Sequence, residues 1–256
     1  MSAPWDPTQY LKFAEERARP AFDLLARVTA KEPETVFDLG CGPGNVTALL
    51  RTRWPKARVT GVDRSEAMLA KARANHPGIE FVAADLATFS PPAPADVIVA
   101  NAALHWLPEH ARLFPALGRA LAPGGVLAVQ MPKSSRLPSH TLLALVAQAG
   151  PWRAQASAAL PRFSEHEPAD YYGWLTGSCR SVDIWETVYL HALAGEDAVV
   201  EWIKGAALRP LLAALSPEEQ NGFLADYRAR VAEAYPRRTD GTTLFPFRRL
   251  FIVAVK

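Results

Sequence analysis

Three short segments place glycines and acids where a small molecule could be gripped: Asp38-Leu39-Gly40-Cys41-Gly42-Pro43-Gly44, Gly61-Val62-Asp63 and Ala84-Asp85-Leu86. Glycines at a strand end accept positive φ and let backbone N–H groups approach a ligand with no Cβ in the way. An acid at the end of the next strand can accept hydrogen bonds from both hydroxyls of a ribose, and Asp63 occupies such a place. Asp85 repeats the arrangement one strand later. Glycines alone could mark only a tight turn, and either acid alone could be a helix cap or a solvated group. Together, on three successive strand ends, they describe a ligand pocket. The dinucleotide fingerprint needs a third small residue where Asn45 stands, and a phosphate-binding loop needs Gly-Lys-Ser/Thr, which does not follow. The pocket therefore suits a nucleoside better than a pyrophosphate. Cys41 sits among the glycines at a helix start, a setting that can activate a thiol, but no paired His accompanies it and no nucleophilic role is expected.

Periodicity supplies the elements that must position these residues. Apolar runs of strand length occur at 35–39, 58–62, 79–83, 96–100 and 126–130. Helical stretches fall between them at 45–53, 65–75 and 109–121, the last stopped by Pro-Gly-Gly. Strands alternating with helices imply right-handed crossovers and a parallel sheet covered on both faces, hence a doubly wound α/β fold. One or two further helices are expected over 8–28, interrupted near Pro20, with Tyr10, Phe13, Phe22, Leu24 and Leu25 on the apolar face. After Met131 the pattern changes: helices at 139–149, 197–215 and 217–234, strands at 182–191 and 244–255. This predicts an antiparallel pair on the sheet edge with a helical insertion, and the 151–168 stretch reads as the least ordered part. We expect a single domain over 1–256, its core in 1–133 and a helical cap with the terminal strands in 134–256.

Composition narrows the function further. The 256 residues carry 28 Lys plus Arg against 26 Asp plus Glu, a net charge of +2, which favours neither a nucleic-acid nor a membrane partner. Hydrophobic residues at 49% and charged residues at 21% are ordinary for a globular chain. Cys41 and Cys179 are too few for a disulfide framework, and no structural metal is expected. With no signal-peptide pattern at the N-terminus and no apolar run near the ~18 residues that span a bilayer, a cytoplasmic location is expected.

The combined motifs resemble class I S-adenosylmethionine-dependent methyltransferases: the glycine loop, Gly61-Val62-Asp63, Ala84-Asp85-Leu86, and Leu121-Ala122-Pro123-Gly124-Gly125-Val126 before a fifth strand. The resemblance implies a mostly parallel seven-stranded sheet, S-adenosylmethionine as cofactor and S-adenosylhomocysteine as product. By matching position, Asp38, Gly40, Gly42 and Gly44 would face the cofactor's amino-acid part. Asp63, with Arg64 and Met68 beyond it, would hold the ribose. Asp85 and Leu86 would read the adenine, and Asn101 would lie beside the methionine moiety.

Segments outside the cofactor motifs resemble a branch of that family which esterifies a carboxylate of a small tricarboxylic acid. They include Tyr10-Leu11-Lys12-Phe13, Glu16-Arg17, Leu104-His105-Trp106-Leu107, Val129-Gln130-Met131-Pro132 and Arg249-Leu250-Phe251-Ile252-Val253-Ala254, and the likeness departs over 153–178. The implied partner is a small tricarboxylate. With unperturbed carboxyl pKa values of about 4, its carboxylate is ionised at neutral pH and needs no general base, so no acid/base residue is expected. Catalysis is then proximity and orientation in a site closed to water. Arg suits carboxylates through its planar fork, which makes Arg17, Arg209, Arg249 and Arg19 the candidates, in that order. His105 and Trp106 would flank the transfer, the one donating a hydrogen bond and the other walling off water. Tyr10, with Phe13, Trp185, Tyr189 and Trp202, would form an aromatic lid. Another small-molecule O- or C-methyltransferase, or a non-catalytic S-adenosylmethionine-binding protein, would carry the same nucleotide motifs. A monomer or weak homodimer is expected.

Overall fold

The structure, a computed structural model, describes the backbone of residues 14–256 and side chains from Ala18 onward. Tyr10 and Phe13 lie outside the described residues, as does the side chain of Arg17. Seven strands form one sheet: β1 Thr35–Leu39, β2 Arg58–Asp63, β3 Glu80–Ala83, β4 Ala95–Asn101, β5 Leu121–Pro132, β6 Ser181–Ala194 and β7 Thr242–Val255. Their order is β3-β2-β1-β4-β5-β7-β6. Strands β1 to β5 pair in parallel, and β7 returns antiparallel to β5. The order turns back between β1 and β4, so the carboxyl ends of these neighbours open a crevice for a ligand.

Helix α1 covers Ala14–Ala26, α2 Asn45–Arg53, α3 Glu66–Asn75 and α4 His110–Arg119. Between β5 and β6 lie α5 Pro138–Gln148, α6 Arg153–Ala159 and α7 Pro168–Thr176; between β6 and β7 lie α8 Ala198–Lys204, α9 Leu208–Ala213 and α10 Pro217–Ala234. Several expectations need correcting. α1 runs straight through Pro20, which is buried with Ala21, Leu24 and Leu25, so packing outweighs the lost backbone hydrogen bond. Phe22 points outward instead, 53% exposed. The 197–215 stretch breaks into two helices where Gly205 caps the first. The 151–168 stretch carries α6, and β5 begins at Leu121, ahead of the Pro-Gly-Gly, with a register irregularity opposite Ala95 and Val97.

The chain divides into two compact units. One comprises Ala18–Pro132, Phe163–Thr187 and Arg249–Lys256; the other takes in Lys133–Arg162 and Val188–Arg248. In the first, the strand period of two assigns residues to faces. Phe37, Leu39, Val62, Ile98, Ala100, Leu127, Val129, Met131, Leu250 and Ile252 share one face and pack with Leu113, Phe114 and Leu117 of α4 and Tyr171 and Leu175 of α7. Each Val, Leu, Ile, Phe or Met among them stabilises the fold by roughly 1.5–3 kcal/mol. On the opposite face, Phe81 packs with Cys41 and with Leu69 and Ala72 of α3. The second unit is built around α5 and α10. Tyr227 Oη donates to Ser139 O at 2.8 Å, Ser139 N donates to Tyr235 Oη at 3.2 Å, and Trp152 meets Phe223 edge-on at 5.6 Å. Among the described residues no helix is long and apolar enough to cross a membrane.

Candidate active site

The glycine loop is pinned to β2 from two directions. Gly40 N and Cys41 N both donate to Val62 O, at 2.7 and 3.1 Å, and Gly42 N donates to Asp63 Oδ2 at 3.0 Å. Gly40 has φ +77°, and a Cβ there would collide with Ala103 Cβ. Gly42 has φ +54°, and no atom of the described residues lies within 4 Å of the space a Cβ would take. The loop is therefore closed on its protein side and open on the other, a cradle for a ligand.

Asp63 links loop and helix, because its second oxygen, Oδ1, accepts from Ser65 N at 2.9 Å. A carboxylate oxygen has two lone pairs, so each can still receive a ribose hydroxyl. Arg64 follows, exposed, and Met68 N donates to Ser65 Oγ at 3.4 Å in the cap of α3. At the end of β3, Asp85 is exposed with Oδ1 accepting from Ala87 N at 3.0 Å, which turns the chain so that Leu86 is buried against the space over Gly40. Asp38 is buried beneath the loop and accepts from Thr47 Oγ1 of α2 at 2.6 Å. Burial pushes its carboxyl up to about 7, the Thr47 hydrogen bond opposes this, and the Asp63 charge adds to it. The Cys41 thiol is pushed up by burial and then by Asp38 and Asp63, which leaves it a neutral, inert group.

At the end of β4, Asn101 holds a buried Oδ1 with no hydrogen-bond partner among the described residues. Such an orphaned acceptor fits the donor-bearing end of a cofactor. Ala102 follows with φ +53°, held by its N–H on Gln130 O at 2.8 Å. The chain then makes a 3-10 turn over Leu104–Trp106. His110 fixes this turn: Nε2 lies 2.9 Å from Leu104 O and Nδ1 lies 2.8 Å from Tyr171 Oη. A carbonyl only accepts, so the ring proton is on Nε2 and Nδ1 accepts from the tyrosine. Burial lowers the His110 pKa and keeps the ring neutral. The turn presents His105, 5% exposed, and Trp106, 41% exposed. Both rings meet Phe163, at 5.8 and 4.9 Å, and Ser164 N donates to His105 O at 2.9 Å.

Arg249, buried on β7, donates from Nη1 to Gln130 Oε1 at 3.3 Å. Register places it with the others. Asp38 faces Gly61 and Val99, Asn101 faces Gln130, and Gln130 faces Phe251, so Asp38, Asp63, Asn101, Gln130 and Arg249 share one face at the carboxyl ends of β1, β2, β4 and β5.

Arg209 is half-buried at the start of α9 in the second unit, and Arg19 is exposed on α1, 4.0 Å from Asp23. Three of the aromatics expected in a lid are packed instead. Trp185 stacks on Phe251 at 4.9 Å under the Arg27 guanidinium, whereas Tyr189 and Trp202 are buried in a cluster with His191 and Phe247, where their large apolar area stabilises most. Sequence reasoning misses Gln130 and Phe163. Gln130 leaves a signal, a primary amide inside an otherwise apolar strand; Phe163 leaves none.

Comparison with known proteins agrees with this geometry. The profile of a methyltransferase-domain family matches residues 36–125. A trans-aconitate 2-methyltransferase of Methylobacterium nodulans is 53% identical over 98% of this chain and 98% of its own length. One from Azoarcus is 50% identical over 98% and 99%. Among solved structures, an S-adenosylmethionine-dependent methyltransferase from Mesorhizobium loti superposes with a TM-score of 0.54 at 23% identity, covering 95% of this chain and 100% of that one. The YcgJ protein of Bacillus subtilis gives 0.61 at 13%, covering 93% and 98%. These two share the α/β fold.

Proposed function

This chain belongs to the trans-aconitate 2-methyltransferase family, and we propose that the polar face of its sheet is where S-adenosylmethionine esterifies one carboxylate of trans-aconitate. The observation that carries the substrate is the near half identity over almost the whole length of both chains. The cofactor supplies a methyl group on a positively charged sulfur and departs as S-adenosylhomocysteine. The residues of the chain bind, orient and shield. Asp63 holds the ribose through the lone pairs that Gly42 and Ser65 leave open. The Gly40–Gly44 loop gives its backbone to the amino-acid part, with Asn101 Oδ1 as an acceptor alongside. Asp85 and Leu86 frame the adenine, and Arg64 and Met68 border the ribose. Arg249, buried on β7, receives a carboxylate. His105, Trp106 and Phe163 form the wall that keeps water from the reacting atoms.

No base enters this scheme, because the attacking oxygen is already charged at neutral pH. The rate comes from holding that oxygen in line with the departing sulfur, and well-oriented pairs reach effective molarities on the order of 10⁵ M or more. Incubation of the purified protein with methyl-labelled S-adenosylmethionine and trans-aconitate tests the proposal. Label should appear in a monomethyl ester, with one S-adenosylhomocysteine formed per ester. Transfer to some other acceptor with none to trans-aconitate would replace the substrate.

A further inference from the structure

β5 is apolar around Gln130. Val126, Leu127, Ala128, Val129 and Met131 are all buried, and among them stands a primary amide with no exposed surface. Burying an amide costs free energy unless both of its ends find partners. The oxygen end has one in the Arg249 guanidinium. A guanidinium only donates, so the amide cannot be turned over, and this fixes which end carries the N–H groups. That end, Nε2, is buried with no hydrogen-bond partner among the described residues. Its register neighbour across the β4–β5 ladder is Asn101, whose buried Oδ1 is equally unmatched. The two orphans differ in kind. Asn101 offers an acceptor, suited to the cationic amino group of the cofactor. Gln130 offers donors beside a cation, suited to an anion with several lone pairs.

We infer that Gln130 and Arg249 form one carboxylate-binding unit for the acid substrate, in which Gln130 Oε1 orients the guanidinium and Gln130 Nε2 donates to the carboxylate directly. The inference rests on the reading of the chain as a trans-aconitate methyltransferase and adds a residue that sets its specificity. In this arrangement the border between cofactor and acid falls between β4 and β5. Gln130 has two parts to play, one through Arg249 and one by its own donor, and substitutions separate them. Gln130→Glu keeps the shape and the acceptor for Arg249 but replaces the donor by a negative charge. Gln130→Met keeps the volume and removes both polar functions.

The test is calorimetry on the intact protein: trans-aconitate titrated into enzyme saturated with S-adenosylhomocysteine, and S-adenosylhomocysteine titrated into enzyme alone. Gln130→Glu should weaken acid binding by about 30-fold or more, and Gln130→Met by about 10-fold, with the affinity for S-adenosylhomocysteine within about twofold of the unsubstituted protein. In steady state the KM for the acid should rise while that for the cofactor holds. Arg249→Lys should cost less in the Gln130→Met background than alone, because the orientation it depends on is already lost. Unchanged acid affinity in both variants would overturn the inference. So would a parallel loss of S-adenosylhomocysteine affinity, which would give Nε2 to the cofactor carboxylate or to the fold. Should the unsubstituted protein bind S-adenosylhomocysteine but not trans-aconitate, the substrate reading itself fails, and the inference with it.

Discussion

The two faces of the central strands are made by alternate residues of the same segments, and they do opposite things. Phe37 and Leu39 join the apolar cluster under α4 and α7, while Asp38 between them turns to Thr47 of α2. Val129 and Met131 are core, and Gln130 between them holds Arg249; Leu250 and Ile252 are core, next to that same arginine. On the apolar face the side chains pack into one buried cluster. On the polar face, among the described residues, a carboxylate is buried without a cation in hydrogen-bond contact, and Asn101 and Gln130 each keep an unmatched polar atom. Such groups cost stability in the free protein and recover it only when a ligand arrives. The second face is also packed along most of its length, by Val36, Val97, Val99 and Ala128 and by Phe81 with α3, and its polar groups gather at the strand ends. Substitutions at the packed apolar positions should move stability, and those at the polar strand ends should chiefly move binding.

The largest expected effect is on the apolar face. Phe114, fully buried and edge-on to Tyr171 at 4.7 Å, should cost about 3–5 kcal/mol in urea unfolding when cut to Ala. The fraction still folded should bind cofactor normally; a matching loss of affinity would blur the division. On the polar face, Asp38 keeps its proton up to about 7 when folded, against 3.8 for the ordinary group. The folded state therefore binds more protons than the unfolded one between those values, and stability falls as pH rises through the window. The fall is at most about 4 kcal/mol and levels off above the upper value. Asp38→Asn should remove that slope, and an unaltered pH profile of unfolding would show that the group is ionised throughout. A cation docked beside Asp38 favours its charged form, so cofactor affinity should weaken as pH drops below neutral.

Next in size is Asp63→Ala, which should raise the cofactor Kd by about 100-fold, near 2.7 kcal/mol, and lower the melting temperature more modestly as Gly42 N and Ser65 N lose their acceptor. Intact affinity would mean that the ribose sits elsewhere. The smallest effect should come from Phe163→Ala. Loosening the wall behind His105 and Trp106 should lower kcat/KM by about threefold to tenfold through lost orientation and leave cofactor binding unchanged. Stopped transfer, or no change at all, would assign that ring a different place in the comparison.

Much of this division is legible in local signals of the sequence. The bounds of β1, α2 and α10 follow from a strand of five, glycines before a helix, and a Ser-Pro-Glu-Glu start whose Ser216 and Glu219 form a reciprocal cap. The glycine loop and Asp63 stand out in the sequence because one βαβ unit fixes their spacing, and Gly42 N donates to Asp63 Oδ2 at 3.0 Å. What escapes depends on contacts between distant segments. Gln130 gains its meaning only when β7 returns antiparallel and sets Arg249 beside it. Pro20 stays in a helix because tertiary burial overrides local propensity. Phe163 follows a stretch with no usable period and is placed by the His105 turn. Tyr189 and Trp202 are offered by the sequence for a lid, although aromatics at such positions are more often core, and the fold shows them in a core.

A crystal structure of the protein with S-adenosylhomocysteine and trans-aconitate tests the central claim most directly. The account predicts both ribose hydroxyls on Asp63 and a carboxylate of the acid within hydrogen-bond reach, about 3 Å, of Arg249 and Gln130 Nε2. An acid bound away from that pair, or a nucleoside lying off the ends of β1 and β2, would contradict it.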